Sequence, residues 1–193
     1  CMMPEGKKEE SPREAVYGQD GTSGQEECVW PAIIMTDEGA FLGFDARYEA
    51  IVDTGATRTL IGSETARSVQ QLIIENTGGR LACEEFALEK PLTFTGIGGK
   101  QKATHGLVIP MQMGSKVVPV IAQVVPGDVP MLISLATLSK LGAFIDCQAK
   151  KMYIGRHQEW INFGNSDNHL TLPIGQFDDK YLEQLTAHVY SFN

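Results

Sequence analysis

Between Ala46 and Thr57 the chain runs an alternating strand straight into a carboxylate on a glycine turn. Ala46, Tyr48, Ala50 and Val52 alternate with Arg47, Glu49 and Ile51, the two-residue period of a strand, and Asp53-Thr54-Gly55 follows at once. Burying a carboxylate there is costly unless it is hydrogen-bonded or put to use. One reading is an Asx-type turn, in which Asp53 caps backbone amides. The other is a catalytic carboxylate. The tripeptide alone is short enough to arise by chance, so its surroundings decide. Ile51-Val52 precede it, Thr59-Leu60-Ile61 follow, the glycine cluster Gly96-Ile97-Gly98-Gly99 comes later, and an apolar strand-to-helix segment comes after that.

The rest of the chain reads as one β-rich domain with arms. A length of 193 residues and a 42% hydrophobic content suit a single core. Residues 1–28 lack apolar periodicity and read as a linker, with order expected to begin near Val29–Thr36. Ser63 is placed to cap a short helix to about Leu72, and Asn76-Thr77-Gly78-Gly79 reads as a loop. Leu92–Thr95 and Lys102–Ile109 flank the glycine cluster as a hairpin. Met111–Met113 and Val117–Val125 flank Gly114-Ser115 as a second. Met131-Leu132-Ile133 reads as a buried strand, followed by a helix over Leu135–Leu141 that Gly142 ends. Ala143–Cys147 and Met152–Ile154 form a third hairpin. In the C-terminal extension, 156–193, His169–Ile174 reads as an edge strand because it contains Pro173. Asp178 or Asp179 can cap a helix there with Tyr181, Leu182, Leu185 and Val189 on one face. Short strands with turns at this spacing make a mostly-β barrel or sandwich with one or two short helices.

Several function classes are disfavoured. A net charge of −8 with no basic stripe argues against gripping nucleic acid by its phosphates. The longest apolar run, Val117–Val125, contains Pro119 and Gln123 and is too short to cross a membrane. Cys1, Cys28, Cys83 and Cys147 form no Cys-x-x-Cys pair and read as reduced thiols in an intracellular, cytoplasmic setting. His105, His157, His169 and His188 are isolated, so no metal site and no cofactor is expected. Gly96–Lys100 has neither Walker nor dinucleotide-binding spacing.

Taken together, Ile51–Ala56, Thr95–Lys100 and Val129–Ser134, with Leu138 and Leu141–Asp146, resemble the catalytic loop, flap tip and closing strand, helix and hairpin of retropepsins. These are the aspartic proteases of retroviruses and long-terminal-repeat retrotransposons, and the copia-type polyprotein proteases are the most similar group. The resemblance covers the domain 29–155. The family's apolar-apolar-Gly triplet reads Leu132-Ile133-Ser134 here. Thr57 and Leu135 stand where retroviral members carry an ion-paired Asp and Arg.

The resemblance implies a closed barrel with one lobe per chain, and a peptidase with Asp53 as its catalytic residue. Thr54, Gly55 and Ala56 would support the loop. Gly96, Ile97, Gly98 and Gly99 would form a substrate-binding flap. Metal-free peptide hydrolysis without a covalent intermediate needs one carboxylate to activate water and one carboxylic acid to polarise the carbonyl. This chain has a single Asp-Thr-Gly, and Asp37-Glu38-Gly39 is not a second copy. The expected partners are therefore a second copy of the chain and a peptide or polyprotein substrate. The competing reading is a catalytically inactive retropepsin-like module for dimerisation or protein binding.

Overall fold

A computed structural model describes residues 26–28, 47–96, 99–164 and 169–183. The expected strand over Val29–Thr36, the flap-tip residues Ile97 and Gly98, and the helix-face positions Leu185 and Val189 lie outside the described residues. What is described is mostly β, with two helices bounded within it.

The strands next to Asp53 are short and largely buried. β2 (Glu49–Asp53) pairs in parallel with β7 (Leu132–Ser134), setting Ile51 beside Leu132 and Asp53 beside Ser134. β3 (Leu60–Gly62) pairs with β7 on one side and in parallel with β6 (Lys116–Val125) on the other. Both β3 and β7 are buried at every position, as strands covered on both faces must be, which is why they read as unbroken apolar runs. β4 (Glu84–Gly96) and β5 (Gly99–Met113) form the long hairpin, and β5 turns into β6 at Gly114-Ser115. β4 begins well before the expected start at Leu92, and its register shifts between Ala87 and Leu92, around Pro91.

The expected closed barrel is not what forms. The eight strands run β1-β4-β5-β6-β3-β7-β2-β11, with β1 (Glu26–Cys28) and β11 (Thr171–Pro173) as unjoined edges among the described residues. Both edge strands span three residues, and Pro173 has no N–H with which to extend the ladder. A separate antiparallel sheet takes the order β10-β9-β8, from β8 (Ala143–Asp146), β9 (Lys151–Ile154) and β10 (Glu159–Asn162). Glu159 ties this sheet to the β5–β6 turn by accepting from the Ser115 N–H at 2.6 Å and from the Ser115 hydroxyl. Those bonds hold its carboxyl below the usual carboxylate range.

α1 (Ser63–Thr77) runs past the expected end at Leu72 because Thr65, Ala66, Val69, Ile73 and Thr77 continue one buried stripe. Residues 76 and 77, read as loop from the sequence, are its last turn, and Gly78 ends it in the left-handed region at φ 58°. Ser63 does not cap it. Gly62 holds the capping position, and the Ser63 hydroxyl instead accepts from Gly127 N–H at 3.2 Å. α2 (Leu135–Leu141) starts and stops where the sequence predicts, with Ser134 as cap and Gly142 at φ 64° after it.

The core divides in two. The larger cluster joins α1, α2, β5, β6 and β9 through residues such as Ile73, Leu138, Met111, Val120 and Met152. The smaller one, Ile51, Ala56, Leu60, Phe94, Ala103, Val125 and Leu132, joins the Asp53 loop to the turn end of the long hairpin. The alternation of β2 sends Ala50 to the first cluster and Ile51 to the second.

Candidate functional site

Asp53 is the last residue of β2 and is 3% exposed, the sole buried acidic residue among the described residues. Its Oδ1 accepts from Gly55 N–H at 2.9 Å. Its Oδ2 is buried with no hydrogen-bond partner among the described residues. A capping aspartate satisfies its amide and leaves its other oxygen to water, so an orphaned inner oxygen is a feature that the Asx-turn reading does not need.

The loop itself is firmly held. Ala56 N–H donates to Asp53 O at 3.2 Å, and Leu135 N–H donates to Ala56 O at 3.2 Å, which ties the loop to the start of α2. Ala56 is 1% exposed in the smaller cluster, whereas Thr54 and Gly55 are exposed. The turn thus presents Thr54 and Gly55 outward while Ala56 anchors it.

Beneath Asp53 lies a group that sequence reasoning missed. Thr59 Oγ1 accepts from Ser134 N–H at 3.0 Å, donates to Ser134 Oγ at 3.2 Å, and sits 2.9 Å from Thr137 Oγ1. Ser134 Oγ in turn accepts from Thr137 N–H at 3.3 Å. Thr59 and Ser134 are buried, and Ser134 is the register partner of Asp53. Three neutral hydroxyls therefore lock the β7–α2 junction to the strand leaving the Asp53 loop. The side chains of Thr57 and Leu135 are both exposed. The available signal was faint: Thr59 just before β3, Ser134 at the end of β7 and Thr137 in the first turn of α2.

Of the residues expected to form a flap, Gly96 and Gly99 face each other at the end of the β4–β5 ladder, and Gly99 has φ 91°. Ile97 and Gly98 lie outside the described residues. Phe94 and Ala103, close behind the turn of the same hairpin, share the smaller cluster with Ile51 and Ala56, so the turn end of the hairpin and the Asp53 loop pack on common ground.

No group of three His, Cys, Asp or Glu side chains able to hold a metal ion comes together among the described residues. No helix among them is long and apolar enough to cross a membrane. The chain matches no protein-family model, and no curated protein matches it.

Proposed function

We propose that the chain is one half of a retropepsin-type aspartic endopeptidase, acting as a homodimer on peptide bonds of a retrotransposon-type polyprotein. The observation that carries this reading is the Asp53 carboxylate, with Oδ1 fixed by Gly55 N–H and Oδ2 buried and unpartnered. A carboxylate left in that state is poised for a water or a second carboxyl. The exposed Thr54-Gly55 edge is the surface on which a second loop would close, and the glycine hairpin whose turn end packs on the same cluster supports the flap reading.

In this mechanism the two Asp53 carboxyls share one proton, since two close carboxylates do not both ionise. The ionised carboxyl takes a proton from water as its oxygen attacks the peptide carbonyl. The protonated one donates to the carbonyl oxygen. Collapse of the tetrahedral species then breaks the C–N bond, with a proton passing to the leaving amine. The first test is to incubate wild type and Asp53→Asn with a denatured protein substrate and identify new N-termini by mass spectrometry. Wild type yields new termini and the variant yields none. Equal turnover by both, or by neither, overturns the reading, and the latter favours an inactive binding module.

A further inference from the structure

A cleft of about 590 Å³ opens between β6 and α2, beyond the residues that the proposed chemistry uses. Val118, Val120 and Leu141 give it an aliphatic floor, and Lys140, Arg156 and His157 stand around it. No Asp or Glu lines it, although the whole chain carries a net charge of −8. Neither Lys140 nor Arg156 meets a carboxylate among the described residues. Glu159, the acidic residue near His157, is occupied with Ser115. Two polar atoms at the cleft lack partners among the described residues, Nδ1 of His157 and Oε1 of Gln123, a residue only 6% exposed.

The main chain of β6 adds direction. Pro110 and Pro119 sit opposite one another in the β5–β6 ladder. Neither has an N–H, so that pair is not a hydrogen-bonded one, and the backbone of Pro119 points away from β5. The same parity holds at Ile121, opposite Val108, and at Gln123, whose N–H donates to Thr59 O at 2.8 Å on the far side. β3 covers β6 only from Gln123 onward. The N–H and C=O of Ile121 and the C=O of Pro119 therefore form an open strand edge along the cleft.

We propose that this cleft docks an extended acidic peptide segment, added as a strand to the free edge of β6 with its carboxylates on Lys140 and Arg156. The open edge asks for a main chain offering both donors and acceptors, which a peptide has and a phosphate backbone lacks. The cationic rim selects acidic side chains and rejects basic ones. Asp53 does not line this cleft, although Thr59, Ser134 and Thr137 beneath it do, and the proposal does not depend on the peptidase reading.

The test is fluorescence anisotropy with a labelled ten-residue peptide of alternating Glu and Val, measured on Asp53→Asn as well as wild type so that hydrolysis is not read as release. We expect saturable binding with Kd on the order of 10–100 µM at low salt. Affinity drops about tenfold or more in Lys140→Gln/Arg156→Gln and in 0.5 M salt, where exposed charges are screened. Ile121→Pro removes the edge donor without touching the β5 ladder and also weakens binding about tenfold. Urea unfolding establishes that each variant is folded, and the two glutamines replace exposed side chains. The proposal is overturned by no saturation up to about 1 mM, a normal threshold for weak specific peptides. Unchanged affinity in the double glutamine variant or in Ile121→Pro overturns it too, as does equal binding of a Lys-Val peptide or tighter binding of oligothymidylate.

Discussion

Replacing Thr59 by valine keeps the shape of a buried side chain and deletes the one oxygen on which the β7–α2 junction converges. In the wild type that oxygen accepts from Ser134 N–H at 3.0 Å and contacts the hydroxyls of Ser134 and Thr137 at 3.2 and 2.9 Å. Without it, the Ser134 N–H is a buried donor with no acceptor, which costs about 1–3 kcal/mol. The lost hydroxyl contacts add roughly 1 kcal/mol, because Ser134 and Thr137 still bond to each other. The sum is about 2–4 kcal/mol. Thr59→Ser keeps the oxygen and loses only a methyl group, worth about 1 kcal/mol. In equilibrium urea unfolding at a slope near 2 kcal/mol per M, valine lowers the midpoint by about 1–2 M and serine by about 0.5 M. A valine variant as stable as the serine variant would show that the hydroxyl group is not what fixes the junction.

Three other outcomes follow from the packing. Gly62→Ala unfolds at markedly lower urea, since an added Cβ would strike the backbone of Val129 and the carbonyl of Gly127, which have no flexible end to yield; an unchanged midpoint contradicts that close approach. Burial pushes the Cys83 thiol up from 9.0 to about 11, so at pH 8 its alkylation runs about 100-fold slower in the folded protein than after unfolding. Because the raised value favours the thiol in the folded state, this contribution to stability is complete below pH 9 and is lost as pH rises through about 11. Alkylation at the unfolded rate at pH 8 refutes this. Asp53→Asn leaves the urea midpoint unchanged or raises it, because it removes a buried charge whose Oδ2 has no partner and keeps an acceptor for Gly55 N–H; a large drop would make Asp53 a structural cap.

The elements legible in the sequence were those whose signals are local. α2 lies between a serine cap and a left-handed glycine, and the β5–β6 turn sits on Gly114-Ser115, so both fell at their expected residues. The extension of α1 to Thr77 depends on Ile73 and Thr77 meeting the core, a tertiary fact that overrides the loop-like Asn-Thr-Gly-Gly spelling. Sheet closure depends on how the two edges meet, and no local pattern encodes that. Asp53 was legible because a carboxylate after an apolar strand is conspicuous. The hydroxyl lock was not, because Thr59 and Ser134 lie 75 residues apart and single threonines at strand ends are unremarkable. The edge strand at Thr171–Pro173 was readable from its proline, but its place beside β2 was not.

The claim that one catalytic centre needs Asp53 from two chains is tested most directly by subunit mixing. Wild type and Asp53→Asn are combined in varying proportion at constant total concentration, allowed to exchange, and assayed for peptide cleavage. If each site takes one carboxyl from each subunit, only pairs of wild-type chains are active, and an equal mixture retains about one quarter of the wild-type rate. Retention of about one half, linear in the wild-type fraction, would mean that each chain works alone and would contradict the account.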